Sequence, residues 1–255
     1  MKWVMIAVLT YNVHGLSHWV VSDDPEARML EISRRLNGYD VALIQESWEY
    51  WDALAERATH SVKERGNGPD PGAFFQNGLT TFARPRFVAL SRGSLGACAG
   101  WLGGANDCLA DKGFLRVRLE LENGVRVDFW NVHLDAGGSD EDRAARAKQL
   151  ESLAERIRTL SGDAPLVVGG DFNSSADDPT DFALLERFRT SLSLEDTGVR
   201  SDPAGAFAGK HIDYLFVRGG RVTKSAEAAE FQVDGRPLSD HPALGVRLEF
   251  AASGP

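Results

Sequence analysis

Cysteine is scarce: Cys98 and Cys108 are the only two in 255 residues, which excludes a disulfide scaffold and a four-thiolate zinc site. Their spacing permits one loop-closing bridge and equally permits two separate thiols. Long apolar runs are also missing. No stretch approaches the roughly 20 residues that a spanning helix needs, so a helical integral membrane protein is excluded. Basic charge is in deficit, with 28 Lys and Arg against 37 Asp and Glu and a net charge of −9. That is the wrong sign for generic attraction to a polyphosphate backbone, and it disfavours nucleic acid as a partner. Internal repeats, low-complexity tracts and linker-like segments are absent too, so one domain over residues 1–255 is expected, and a monomer is taken as its state.

What is present is a core-forming chain, 43% apolar and 25% charged. Residues 1–9 carry a single Lys and a short apolar stretch without a small-residue cleavage pattern, and read as a strand, not a signal peptide. A cytoplasmic location is the default; a Cys98–Cys108 bridge would instead imply secretion or the periplasm. The run 3–11 is almost unbroken in apolar residues, as in a strand buried on both faces. Asp24 before Pro25 predicts a helix N-cap, Met29, Ile32 and Leu36 its buried stripe, and Gly38 its stop. A second buried strand spans 40–46, and residues 48–60 read as a helix. Segments 66–78 and 91–113 read as glycine-rich loops. Leu115, Val117, Leu119 and Leu121 alternate with charged residues before Asn123-Gly124, a strong hairpin signal whose returning strand covers 125–134. Ser139 with Asp142 predicts a capping box for a helix with Leu150, Leu153, Ile157 and Leu160 on one face. A strand at 166–168, a short helix near 181–187, and strands at 212–217, up to 233 and at 244–250 complete the chain. Hairpins mixed with strand–helix–strand units suggest two packed sheets flanked by helices.

Polar residues recur where these buried strands end: Asn12, Glu46, His133, Asp135, Asp171, Asn173, Asp213, Asp240 and His241. Strand ends and the loops beyond them form the usual crevice of a sheet-based fold, so residues distant in sequence can converge there. The set is rich in carboxylate and amide oxygen and has no thiolate, which suits magnesium, or manganese or calcium, better than zinc. Each piece alone has a plainer reading. Asp and Asn end strands because they suit turns, and a single buried histidine is most often a satisfied core group.

The ordered set Leu-Thr-Tyr-Asn12, Gln45-Glu46, Asn131-Val-His133-Leu, Gly170-Asp171-Phe-Asn173, Ile-Asp213-Tyr and Ser-Asp240-His241 resembles the endonuclease/exonuclease/phosphatase superfamily. The resemblance runs from residue 9 to residue 242. It implies a four-layer α/β/β/α sandwich of two mostly antiparallel sheets flanked by helices, similar to deoxyribonuclease I. It also implies metal-assisted hydrolysis of a phosphoester by water. Carried onto this chain, it makes Glu46 the principal metal ligand, Asn12 a second ligand or an orienting amide, and Asp240 a completing ligand. His241 is the general base with Asp213 as its partner, Asp171 holds the attacking water, and Asn173 and His133 donate to phosphoryl oxygens. Asp135 receives no role, and His14, His18, His60 and His211 are set aside, His211 as an exposed strand-start residue.

The stretch Asp107-Cys108-Leu109-Ala110-Asp111-Lys112-Gly113-Phe114-Leu115 resembles the surroundings of a Lys-Gly pair in neutral and bacterial sphingomyelinases. It implies that Lys112 lies near a substrate phosphate or pairs with Asp111, and that the substrate is a phospholipid cleaved in the manner of a phospholipase C, with peripheral membrane contact. The aromatic-tipped hairpin of those enzymes has only Phe231 to offer within residues 219–238, with Phe74, Phe75 or Trp101 as substitutes. A nuclease is the alternative, for which Arg116, Arg118, Arg143, Arg146 and Lys148 would supply the cationic stripe, although all are interleaved with acids. An inositol-phosphate phosphatase or other phosphomonoesterase is the third reading.

Overall fold

The structure is a computed structural model, and it describes residues 2–19, 24–66, 76–100, 107–200, 211–228 and 231–252. The elements in chain order are β1 (Trp3–Asn12), α1 (Pro25–Leu36), β2 (Val41–Gln45), α2 (Trp51–Glu56), β3 (Val62–Arg65), β4 (Thr80–Ala83) and β5 (Arg86–Ser94). After a 3-10 turn at Asp107–Leu109 come β6 (Gly113–Glu120), β7 (Arg126–His133), α3 (Asp140–Ser161), β8 (Leu166–Asp171), α4 (Pro179–Ser191), β9 (Glu195–Asp196) and β10 (Asp213–Arg218). The last strands are β11 (Arg221–Glu227), β12 (Gln232–Val233), β13 (Arg236–Pro237) and β14 (Leu244–Ala251).

Two six-stranded sheets form, in the orders β11-β14-β1-β2-β4-β3 and β5-β6-β7-β8-β10-β9. In each sheet one central pair is parallel, β1 with β2 and β7 with β8, and the remaining pairings are antiparallel. The sheets face one another across an apolar layer that draws Val8, Leu43 and Leu248 from the first and Val117, Phe129 and Leu215 from the second. Met29, Ile32 and Leu36 of α1 and Leu54 of α2 cover the outer face of the first sheet. Leu150, Leu153 and Ile157 of α3, with Leu185 and Phe188 of α4, cover the second. The four-layer α/β/β/α arrangement expected from the sequence is therefore observed. Among the described residues no helix is long and apolar enough to cross a membrane.

The local signals act as their chemistry dictates. Asp24 caps α1 by accepting from the Ala27 amide at 3.1 Å, and Ser139 with Asp142 forms a reciprocal capping box on α3. The Asn123-Gly124 turn closes the β6–β7 hairpin with Gly124 at φ 82°, a conformation that disfavours any Cβ. Three boundaries differ from expectation. β1 is buried on both faces only in its second half: Trp3 and Met5 are 45% and 52% exposed, because β2 pairs with it only from Val8 onward. The helix expected over 48–60 shortens to α2, since Trp48 is drawn off to donate to the Gln76 carbonyl and Asn37 holds Thr59 outside the helix. Ser91–Ser94, expected in a loop, extend β5 along β6 at the sheet edge. An edge strand needs one paired side only, so a polar, glycine-bearing sequence is tolerated there.

The two sheets are also joined by polar groups. Asn131 on β7 donates to the carbonyls of Ile44 and Thr80, both at 2.9 Å, and accepts from the side-chain amide of Gln45 at 2.7 Å. Both amides are fully buried. Replacing Asn131 by Ala leaves those partners unmatched in a dry interface, and the loss of unfolding free energy in urea is expected to be about 2–4 kcal/mol. A second prediction concerns His60, buried with its Nε2 hydrogen-bonded to the Tyr39 carbonyl. Burial pushes its pKa down to about 4, so the unfolded chain takes up the proton first. Stability is then full above about pH 6.5 and falls as the pH drops toward 4. The substitution His60→Gln should flatten that part of the urea-midpoint profile.

Candidate active site

Both parallel strand pairs end at the same place, and the site is built there. Asn12 ends β1 in register with Gln45, so Glu46 follows directly beside it. His133 ends β7 in register with Asp171 of β8, and Asp171 is itself paired with Asp213 at the start of β10. His241 lies in the segment leading into β14. Several of these residues occupy left-handed backbone, Glu46 at φ 57°, Asn173 at φ 47° and His14 at φ 48°, an unfavourable conformation that persists only where surrounding contacts enforce it. At Glu46 the enforcing contact is visible: the Gly15 amide donates to its carbonyl at 2.9 Å, and a Cβ on Gly15 would stand 2.3 Å from that oxygen.

Asn12 is the junction. Its Nδ2 donates to Glu46 Oε1 at 2.9 Å and to Asp171 Oδ2 at 3.1 Å, while its Oδ1 accepts from the His14 amide at 3.0 Å. In this orientation the amide bridges two carboxylates. Around Asp171 Oδ2 stand two imidazoles, His133 Nε2 and His241 Nε2, each 3.7 Å away, and His133 Nε2 lies 4.0 Å from Glu46 Oε1. His241 Nδ1 meets Asp213 Oδ2 at 2.8 Å. Asp171 Oδ1 accepts the Asn173 backbone amide at 2.9 Å, and the Asn173 side chain donates to the Leu134 carbonyl at 2.9 Å, leaving one of its two amide hydrogens for another acceptor.

The electrostatics follow from burial. Desolvation, with the charge of Asp171 adding to it, raises the pKa of Glu46. Asp171 is desolvated as well, yet its pKa is lowered on balance, because the charges of His241 and His133 and the bonds from Asn173 and Asn12 outweigh burial. Burial, assisted by the positive charge of Lys112, takes His133 down to about 3, which leaves it neutral. Burial also opposes charge on His241, but Asp213 and Asp171 outweigh it and lift the pKa to about 10. Two groups of ligand atoms, Glu46/His133/Asp171 and Asp171/Asp213/His241, lie within 4.8 Å of one another. Such convergent, buried carboxylates and imidazoles, with no thiolate, fit a hard divalent cation.

The remaining expected residues fall at the margin or beside the site. Asp240 pairs with His14 Nδ1 at 3.0 Å, and its half-exposed carboxylate belongs to neither of those two groups. Lys112 is buried and its charge reaches both Glu46 and His133. Asp135 accepts the Ala99 amide at 3.2 Å, next to Cys98, which is bridged to Cys108. His211, expected exposed, is half-buried and lies 3.2 Å from Asp177. Phe231 is buried against Tyr11, and Phe74, Phe75 and Trp101 lie outside the described residues. Of the cationic stripe, Arg116 and Arg118 both clamp buried Asp128, and Arg143 and Arg146 are engaged with Asp181. Lys148 stays exposed.

Sequence reasoning overlooked three contributors. Arg28 of α1 donates to the carbonyls of Val13, Leu238 and His14 at 2.5, 3.2 and 2.9 Å, and so ties the loop after β1 to the segment carrying His241. Ser239 donates to the Asn12 carbonyl at 2.7 Å. Trp48 sets its ring centroid 6.4 Å from that of His133. Nothing local distinguishes an arginine on a helix face as a loop fastener, whereas the Ser-Asp-His motif did contain Ser239.

The profile of the endonuclease/exonuclease/phosphatase family matches residues 9–241. The chain belongs to that family. It is 29% identical over 274 aligned positions to a sphingomyelinase of Mycobacterium bovis, a match covering 96% of this chain and 53% of that protein. The chain thus spans about half the length of the curated relatives it matches. Sphingomyelinase C from Streptomyces griseocarneus superposes with a TM-score of 0.72 at 18% identity, covering 97% of this chain and 100% of that one. A beta toxin variant from Staphylococcus aureus with bound magnesium ions gives 0.75 at 16% identity, covering 95% and 99%. At such identities these two show a common fold. Together the family and its sphingomyelinase members point to a phosphoester hydrolase.

The His241–Asp213 pair yields a prediction for the metal-free protein. A pKa raised to about 10 means that the pair contributes stability fully present below about pH 6.5 and lost as pH rises through 10. In EDTA, Asp213→Asn should lower the His241 pKa by about two pH units, read from its imidazole proton shifts by NMR.

Proposed function

We propose that this chain is a magnesium-dependent phosphodiesterase that hydrolyses a phospholipid of the sphingomyelin type on the head-group side, as a phospholipase C does. The observation that carries the proposal is the single Asp171 oxygen approached by Asn12, His133 and His241 from both sheets. Glu46 would be the principal ligand, with Asp171 beside it, and Asn12 orients both carboxylates; Asp240, paired with His14, supports from the rim. A divalent cation bound there would supply positive charge toward the phosphoryl oxygens and would offset one of the carboxylates that keep the proton on His241.

The chain's own groups do the rest. Asp171 positions the attacking water, and His241, held in orientation by Asp213, takes its proton. Attack on phosphorus in line with the leaving oxygen breaks the ester bond; that oxygen takes a proton from solvent water and departs as the alcohol, and His241 returns its proton to solvent. His133, neutral, has one N–H to donate to a phosphoryl oxygen, and Asn173 has its remaining amide hydrogen. Lys112 adds positive charge at the same mouth. The lipid substrate is supported by the sphingomyelinase relatives and by the ion pairs that Arg116, Arg118, Arg143 and Arg146 make with Asp128 and Asp181, which engage four of the five cations considered for a nuclease track. The Cys98–Cys108 bridge favours an oxidising compartment as the place of action.

The test is parallel turnover of sphingomyelin, phosphatidylcholine, DNA, RNA and inositol phosphates, with and without magnesium. Magnesium-dependent cleavage of sphingomyelin is expected, reduced about 100-fold or more in Glu46→Gln and in His241→Ala, with circular dichroism unchanged. Turnover confined to nucleic acid or inositol phosphates would overturn the lipid reading, and full activity in Glu46→Gln would remove that residue as principal ligand.

A further inference from the structure

Trp19 is 86% exposed, the most exposed of the large apolar side chains described. Exposure of a lone apolar residue is ordinarily unremarked, but this one follows directly on a segment that is bonded to the loop supplying Glu46. The segments after β1 and β2, which follow Asn12 and begin with Glu46, are bonded to each other over residues 15–18 and 46–50. Gly15 donates to the Glu46 carbonyl at 2.9 Å, Glu49 donates to the Gly15 carbonyl at 3.3 Å, and the His18 amide donates to the Tyr50 hydroxyl at 3.1 Å. Trp19 continues that tethered segment with its ring centroid 4.5 Å from that of His18. Half-buried Trp48 and Tyr50 stand on the second loop, so the ligand-bearing loops carry an aromatic rim.

Aromatic rings with a polar edge suit the boundary between water and acyl chains, where indole is the preferred anchor. Three of the other exposed apolar residues, Trp3, Met5 and Val233, suit this task less well. Trp3 and Met5 lie toward the opposite end of β1 from Asn12, about 30 and about 23 Å away at strand rise. The β12–β13 hairpin offers only Val233, 38% exposed, because Phe231 is buried against Tyr11 and Tyr39. The charge balance specifies the surface further: a chain of net charge −9 gains nothing from an anionic bilayer.

We propose that the joined loops after β1 and β2 form a bilayer-docking rim with Trp19 as its anchor, seating the mouth of the site on a zwitterionic phospholipid surface. This rests on the reading that the substrate is a phospholipid. Docking of this kind brings Glu46 to the head-group level while leaving the reacting groups of the deeper cluster untouched, so Trp19 acts on access to packed lipid and not on the chemical step.

Two measurements keep docking and catalysis apart. Sedimentation with phosphatidylcholine vesicles in EDTA reports binding without turnover; hydrolysis of p-nitrophenylphosphorylcholine, a soluble phosphodiester, reports turnover without a bilayer. Trp19→Ala is expected to weaken vesicle binding about tenfold and to slow cleavage of vesicle sphingomyelin similarly, with hydrolysis of the soluble ester unchanged, and Trp19→Phe to retain most of the binding. The proposal is overturned by Trp19→Ala binding vesicles as the wild type does, by equal losses on vesicle and soluble substrate, or by Trp19-dependent self-association in place of vesicle binding. Wild-type protein that hydrolyses the soluble ester but ignores vesicles would overturn docking and leave the hydrolase reading intact. Trp19-dependent vesicle binding without hydrolysis of any ester would do the reverse.

Discussion

The clasp between Gln45 and Asn131 is what makes a single site out of two sheets. Each sheet contributes one parallel pair, and at the carboxyl ends of those pairs stand the groups of the candidate site. Separately, neither pair holds more than a fragment: Asn12 and Glu46 on one side, His133 and Asp171 on the other. Apolar packing holds the sheets together but is non-directional, and tolerates sliding more readily than hydrogen bonds do. The amide of Asn131, reaching from β7 to carbonyls on β2 and β4, has one arrangement in which its partners are all satisfied. A dry interface makes every other arrangement costly, so the clasp sets the registration on which the Asn12–Asp171 contact depends.

Charge at the site is arranged against solvation. Carboxylates and imidazoles are gathered where water is largely excluded, and left-handed backbone at Glu46 and Asn173 adds local strain. The compensation is found nearby, in Arg28 across the loop carbonyls, Ser239 on the Asn12 carbonyl, and the Gly15 amide on Glu46. These contacts make no claim on a reacting group, yet they hold the ones that do. In the same low-dielectric setting His133 and His241 are driven in opposite directions, one stripped of its proton by burial and Lys112, the other gripped by two carboxylates. Two chemically identical side chains thereby become a neutral donor and a strong proton acceptor.

The distribution of cations and aromatics over the rest of the molecule bears on what approaches. Arginines that stand interleaved with acids in the linear order are turned onto Asp128 and Asp181, where they join sheet and helix. The aromatic residue of the last hairpin is folded inward, while an indole on the first loop is left in water. Among the described residues, the segments after β1 and β2 thus present Trp19, Trp48 and Tyr50 beside the candidate site.

Much of this was legible from amino-acid order. Periodicity, the Asp24 and Ser139 caps and the Asn123-Gly124 turn marked the main elements, because those signals rest on contacts within a few residues. The spaced motifs named Glu46, Asp171, Asp213 and His241, since chemistry restricts which side chains can serve. Boundaries at α2 and β5 were missed where a contact from a distant strand or loop overrode local preference. Neither the pairing of Asp240 with His14, nor the fastening role of Arg28, nor the fates of Phe231 and Trp19 could be seen in advance. Linear order specifies which residue types exist and how neighbours bond; whether a given arginine or tryptophan faces water, a carboxylate or a ring depends on what the chain brings back from far away, and only the folded molecule carries that information.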